Sequence, residues 1–248
     1  MEHDAYLAHV ARDGDLLAAA VDGKDLTLAV AACPGWTVKD LVVHVAEVYE
    51  HKIQGMLDGV RPDPWPPEWP AERDAVEWFR DAHTRLLAEL RNRSPEEPTW
   101  TWFPPDQTVG FWGRRMAQET AVHRVDAEAA FGTAAPIDAD LALDGIDEVL
   151  FVVIIGDWAD DPEPPDRDFH LNVRSGGETF HVTVSPAEVT ATRSPSGDED
   201  PAADATISGE PSAVVLWLWN RADGGEVEVT GDDEAVAQFR RRLAIATE

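Results

Sequence analysis

The stretch GRRMAQETAVHRVDAE, residues 113–128, has helical periodicity, and the positions that should face a core run Trp112, Met116, Glu119, His123, Asp126 and Ala130. Ionisable residues stand where apolar ones are expected. Burying a carboxylate or an imidazole is costly unless something pairs with it, so this line implies a partner elsewhere in the chain. Glu119 and His123 are four apart and lie one turn from each other on one helix face. An E-x-x-x-H spacing alone is common on solvated faces; here both members fall on the inward line. An earlier helical segment supplies a counterpart, because Leu41, His44, Val48 and His51 place a histidine among apolar residues.

Two neutral imidazoles and one carboxylate on rigid helices form a set of three ligands, His44, Glu119 and His123, suited to Zn²⁺ or a similar divalent ion. Such a set leaves a coordination position open for water or substrate. Asp126, one turn beyond His123, is placed to orient a ligand imidazole, or else to pair with a buried arginine; the residues leave both readings open. His51 is seven residues from His44, about 10 Å along a helix, too far to share one ion and placed to line a pocket. His83 falls on an apolar stripe and reads as a hydrogen-bonded core histidine. His3, His9, His170 and His181 have no partner at ligand spacing. Cys33 precedes a helix whose N-terminus could lower a thiol pKa, but a small buried residue before a Pro-Gly turn explains it more simply. The chain contains no G-x-S-x-G, P-loop or dinucleotide fingerprint.

The elements that must position these residues are legible as four helices. Residues 3–22 carry Leu7, Val10, Leu17 and Val21 and stop at Gly23. A second helix opens at Thr37, an N-cap with Asp40 three residues on, and carries Leu41, Val45 and Val48. A third runs from about Glu72 to Leu90, with Val76, Phe79, Leu86, Leu87 and Leu90 inward. The fourth is the polar-lined stretch itself. Proline- and tryptophan-rich loops, RPDPWPPEWP and PTWTWFPPDQTVGFWG, separate them. Four helices with long loops predict a bundle in which facing helices build a central site.

After Gly132 the pattern changes. ADLALDGIDEVLFVVIIGDW reads as a helix, and FHLNVRSGGETFHVTVS alternates around a Gly-Gly turn, the signature of a β-hairpin. EVTATR, ADATISGE and EVEVTG add strands; PSAVVLWLWNRA and DDEAVAQFRRRLA add helices. The acidic, proline-rich stretches DWADDPEPPDRD and TRSPSGDEDPAADA read as exposed loops. The fold class expected is therefore a two-domain α+β protein, with a helical bundle over residues 1–135 and a small α+β domain, mainly antiparallel, over 136–248.

Forty-eight acidic against 20 basic residues give a net charge of −28 across 248 residues, so the average surface repels phosphate backbones and anionic membranes. Nucleic-acid and membrane partners are excluded on that ground, and an anionic substrate would need a local cationic site. One cysteine precludes an internal disulfide; with no long apolar run and no leader pattern at the start, the expected location is cytoplasmic.

The segments CPGWTVKDLVVHVAEV, VGFWGRRMAQETAVHRVDAE, DLALDGIDEVL and LWLWNRADGGEVEVTGD together resemble the mycothiol-dependent maleylpyruvate isomerase family. The resemblance implies a DinB-like four-helix bundle followed by a domain similar to sterol carrier proteins. It implies zinc or another divalent ion on His44, Glu119 and His123, and mycothiol, a low-molecular-weight thiol, as cofactor. It also implies active-site roles for Asp126 and for Arg221, although Asn220 stands where members usually carry glycine. A thiol whose pKa is near 8.5 is mostly protonated at neutral pH, and coordination to a cation deprotonates it. The implied activity is an isomerase or S-transferase acting on a small electrophile. A different class stays open, a non-catalytic ligand-binding or regulatory protein with a structural polar or metal site and a tryptophan-lined pocket.

Overall fold

A computed structural model of the chain describes residues 1–67, 73–197, 201–221 and 227–247. The expected start of the third helix at Glu72, the end of the loop RPDPWPPEWP, and parts of TRSPSGDEDPAADA and LWLWNRADGGEVEVTGD lie outside the described residues. The chain divides into two compact units, Met1–Ile137 and Asp138–Glu248.

The first unit is a four-helix bundle of α1 (His3–Val21), α2 (Val38–Asp58), α3 (Ala75–Arg91) and α4 (Val109–Ala130), in which α1 and α2 each pack against both α3 and α4. Helix α2 begins with a complete capping box. The Thr37 hydroxyl accepts from the Asp40 amide, and the Asp40 carboxylate accepts from the Thr37 amide at 2.8 Å, which satisfies two of the orphan donors of the first turn. It stops at Gly59, whose φ of 68° is the left-handed conformation that glycine adopts without a Cβ penalty. Asp74 caps α3 by accepting from the amides of Val76 and Glu77, each at 3.0 Å. The apolar stripes of α1, α2 and α3 are buried as their spacing predicts. His83 is a core histidine, its Nε2 2.9 Å from the carbonyl of Val10.

Helix α4 differs from the amphipathic reading. Arg115, Gln118, Thr120, Arg124, Asp126 and Glu128 are buried along with the apolar residues, so the helix is enclosed on nearly every side. Its polar residues therefore find internal partners. Arg124 Nε donates to Asp13 on α1 at 3.1 Å, and its Nη1 donates to Glu128 at 2.7 Å. Nη1 and Nη2 also donate to the carbonyls of Ala135 and Pro136 at 2.7 and 3.1 Å. The Thr120 hydroxyl lies 2.6 Å from that of Tyr49 on α2.

The second unit is α+β. Helix α5 (Ala139–Glu148) continues into a π-helical turn over Val149–Val153 and stops there, so the helix expected to reach Trp158 changes its winding midway and ends before the strand at Gly156–Asp157. Six strands follow: β1 (Gly156–Asp157), β2 (Phe169–Ser175), β3 (Glu178–Val184), β4 (Glu188–Pro195), β5 (Ala205–Gly209) and β6 (Val227–Gly231), ordered β1-β4-β3-β2-β5-β6. All neighbours are antiparallel except β2 and β5. The β2–β3 hairpin turns on Gly176 and Gly177, with φ of 56° and 79°, the left-handed pair that a two-residue turn needs. Its buried face carries Phe169, Leu171, Val173, Phe180, Val182 and Val184. Helices α6 (Pro211–Leu218) and α7 (Asp233–Ala246) complete the unit. Among the described residues, no helix is long and apolar enough to cross a membrane.

Candidate metal centre

Helices α2 and α4 run antiparallel. His44 near the start of α2 faces Glu119 and His123, whereas Lys52, two turns further along α2, faces Trp112 near the start of α4. The crossing brings His44, Glu119 and His123 together, with one ligand-capable atom from each lying within 4.8 Å of the others. Glu119 Oε1 sits 3.4 Å from His44 Nε2 and 3.3 Å from His123 Nε2. Donors bonded at about 2.0–2.2 Å to a tetrahedral ion stand roughly 3.3 Å apart, so the spacing fits zinc. Side-chain exposure falls from 26% at His44 and 16% at Glu119 to 8% at His123 and 1% at Asp126, so the group opens toward solvent on the His44 side.

Behind His123 lies Asp126, whose Oδ2 is 2.9 Å from His123 Nδ1. A proton held on Nδ1 leaves Nε2 directed at Glu119 and fixes the ring plane. The Cys33 thiol donates weakly to the same carboxylate oxygen at 3.9 Å. Cys33 thus joins His123 and Asp126 on the Nδ1 side of the ring. The contact with an imidazole, one of the two readings left open for Asp126, is present.

The charges are tightly coupled. Burial pushes against ionisation of Glu119, but the His123 imidazolium, hydrogen bonds from His123 and His44, and the Arg115 guanidinium outweigh it and hold the carboxyl well below its usual range. Burial likewise disfavours a charged His123, but Glu119 and Asp126 overcome it and push the imidazole up to about 9. Arg115, one turn before Glu119, donates to Glu119 Oε2 at 3.3 Å. The second carboxylate oxygen is thereby held, and Oε1 is turned toward the histidines.

Deeper between the same helices is a group that the periodicity of α2 does not reveal. His51 is buried, and its Nδ1 lies 3.0 Å from the Nζ of buried Lys52. That ammonium sits over the rings of Trp65 at 4.8 Å and Trp112 at 5.2 Å. Trp65 also packs edge-on against His44 and His51, and Trp36 lies 4.8 Å from His44. Trp36 and Trp65 therefore pack against the polar residues of α2. A lysine inside an apolar helical run reads in sequence as a solvated or snorkelling residue, and only the Trp-rich loops hinted at a cover for it.

Arg221 belongs to the second unit, where its backbone amide donates to the Leu216 carbonyl at 2.8 Å and its Nη1 to the Trp219 carbonyl at 2.7 Å. Asn220 before it has φ of 58°, so the left-handed backbone natural to glycine is kept by one of the few side chains that tolerate it.

Comparison with known proteins agrees with this architecture. Residues 7–128 match the mycothiol maleylpyruvate isomerase N-terminal domain, and residues 140–238 match the MDMPI C-terminal domain. A crystal structure of a mycothiol-dependent maleylpyruvate isomerase is similar to this chain with a TM-score of 0.63 at 15% identity, covering 94% of this chain and 95% of that one. A structure of a histidine-to-alanine mutant of such an isomerase gives the same TM-score at 14% identity and the same coverage of both chains. At these identities the likeness shows the fold. No curated protein matches the sequence. With both of its domains matched in order, the chain belongs to the mycothiol-dependent maleylpyruvate isomerase family.

Proposed function

We propose that this protein is a divalent-metal and mycothiol-dependent enzyme of the isomerase or S-transferase type, acting on a small electrophilic metabolite in the cytoplasm. The observation that carries the reading is the convergence of His44, Glu119 and His123, their ligand atoms within 4.8 Å of one another, on the solvent-facing side of the α2–α4 crossing. In this reading zinc, held by those residues, supplies the Lewis acidity that makes a low-molecular-weight thiol ionise near neutral pH.

The remaining roles belong to the chain. Glu119 offers Oε1 while Arg115 restrains Oε2. Asp126 holds the His123 ring by its Nδ1, so that Nε2 presents its lone pair once the imidazolium proton has left. We assign Asp126 to the active site in this positioning capacity. Arg221 enters as an active-site residue through the family resemblance alone.

A purely structural ion would need a fourth protein ligand. Among the described residues, the nearest thiol, Cys33, groups with His123 and Asp126 instead of with His44 and Glu119. This arrangement favours a site with an open position over a closed one. Metal analysis of the purified protein, followed by assays with mycothiol plus maleylpyruvate or other electrophiles with and without zinc, tests the reading. We expect one equivalent of metal and turnover that needs both metal and thiol. Background metal content in the presence of excess zinc would overturn it.

A further inference from the structure

We propose that Cys33, His123 and Asp126 form a second cation position, on the far side of the His123 ring, that takes a soft, thiophilic ion and competes with the first for the imidazole. The competition rests on the reading of His44, Glu119 and His123 given above; the second position does not.

Asp126 Oδ2 is the common point, 2.9 Å from His123 Nδ1 and 3.9 Å from Cys33 Sγ. One ligand-capable atom from each of the three residues lies within 4.8 Å of the others. Around a tetrahedral ion, nitrogen and oxygen donors at about 2.0–2.2 Å stand roughly 3.3 Å apart, and a thiolate at about 2.3 Å stands roughly 3.6 Å from them. The two observed spacings fall on either side of these values, so small shifts seat an ion. The donor that distinguishes this group from the first is sulfur, and thiolate selects soft ions.

The backbone holds the thiol in place. Cys33 N donates to the Val30 carbonyl at 3.1 Å, Trp36 N to the Cys33 carbonyl at 3.0 Å, and Val30 N to the Trp36 carbonyl at 2.9 Å, so residues 30–36 form a tied turn. That turn sets Trp36 against His44 and Cys33 against Asp126. His123 and Asp126 are buried whereas Cys33 is half-buried, so an ion reaches the group past the sulfur.

A neutral imidazole keeps one proton and offers one lone pair. With an ion on Nε2, the proton stays on Nδ1 against Asp126; with an ion on Nδ1, it stays on Nε2, 3.3 Å from Glu119 Oε1. Binding at the second position therefore releases the thiol proton and the Nδ1 proton to solvent, forms the sulfur–metal and nitrogen–metal bonds, and withdraws Nε2 from the first. A soft ion bound there is an antagonist of zinc.

Cadmium titration of the full, zinc-free chain, followed by the ultraviolet absorption of the cadmium–thiolate bond, tests the proposal. The chain has one cysteine, so the band reports Cys33 alone. Wild type should saturate at one ion per chain. Asp126→Ala and His123→Ala should each weaken binding read from the band by at least about tenfold, and His44→Ala should leave it within a few-fold. X-ray absorption of the wild-type cadmium form, which needs no variant, should show one sulfur and one imidazole on the ion. A missing band, a band indifferent to both Asp126→Ala and His123→Ala, a loss in His44→Ala equal to that in Asp126→Ala, or an ion with two sulfurs or no imidazole would each overturn the second position. Added zinc should raise the cadmium needed for half saturation in wild type and far less in Glu119→Gln; simultaneous saturation by both ions would overturn the competition. The two metal readings fail separately. Cadmium binding intact with no zinc bound would sink the first group and leave the second standing, and zinc bound with no cadmium–thiolate band would do the reverse.

Discussion

His123 Nδ1 lies 2.9 Å from Asp126 Oδ2, three residues further along the same helix, so one turn of α4 both presents an imidazole and fixes its tautomer. Replacing Asp126 with alanine should therefore weaken zinc binding by about 10–100-fold without abolishing it, the range found when a group that orients a ligand is lost. Asp126→Asn should fall between wild type and alanine. Competition against a chelator of known affinity measures both. Unchanged affinity in Asp126→Ala would show that the contact does not orient the ligand.

Removal of a ligand should be more severe. His123→Ala and Glu119→Gln are each expected to reduce bound metal to background at micromolar zinc, as read by elemental analysis, while retaining the far-UV circular dichroism of the parent. His44→Ala should retain more metal, because His44 is the more exposed imidazole. Cys33→Ser should leave stoichiometry unchanged, since the thiol faces Asp126 from the far side of the ring.

The Asp13–Arg124 pair crosses from α1 to α4 in the core, and burial raises the Asp13 carboxyl despite the guanidinium beside it. Asp13→Ala should cost about 1–3 kcal/mol in chemical denaturation, because it leaves the buried Nε of Arg124 without its acceptor while Glu128 still pairs with the same guanidinium. The double variant Asp13→Ala with Arg124→Met should lose less than the two single losses added together. Additive losses would show that the pair is not coupled.

Gly14 allows the histidine of the core to approach. A Cβ added there would stand 2.2 Å from His83 Nε2, the atom that meets the Val10 carbonyl. Gly14→Ala should destabilise the protein by about 1–3 kcal/mol, and Gly14→Ala with His83→Ala should recover part of that loss. Urea titrations of wild type and the two variants provide the comparison.

In the second unit, Asp161 meets the guanidinium groups of Arg241 and Arg242, and Arg242 Nε is 2.7 Å from its Oδ2. The hydrogen bond from Arg241, opposed by burial and aided by the Glu163 backbone and both positive charges, lowers Asp161 from 3.8 to about 2. A carboxyl depressed on folding contributes stability that is fully present above its unfolded pKa and is lost as pH falls through the folded one. The contribution should therefore fade between about pH 4 and pH 2. Acid melting of Asp161→Asn beside wild type should show the difference between them shrinking over that window; a constant difference would refute the linkage.

What the sequence could show depended on how local each feature is. The α2 capping box, the hairpin on Gly176 and Gly177 and the apolar stripes of α1 to α3 are each determined by residues within a few positions of one another, and they read directly. The spacing of Glu119 and His123 and the placement of His44 also read from helix phase. The all-round burial of α4 did not, because its compensating partners are distant in the chain: Asp13 for Arg124 and Tyr49 for Thr120. Lys52 stayed hidden for the same reason, since the tryptophans over it come from a loop and from the start of α4.

Helix α4 supplies two of the three proposed donors, the residue that steadies one of them, and the internal ion pairs of its own bundle. Few of its positions are free to vary without disturbing either the site or the scaffold. If the proposed activity holds, altered selectivity is to be sought in α2 and the tryptophan loops, and a mutant library with that aim belongs there, with α4 left intact as the shared axle.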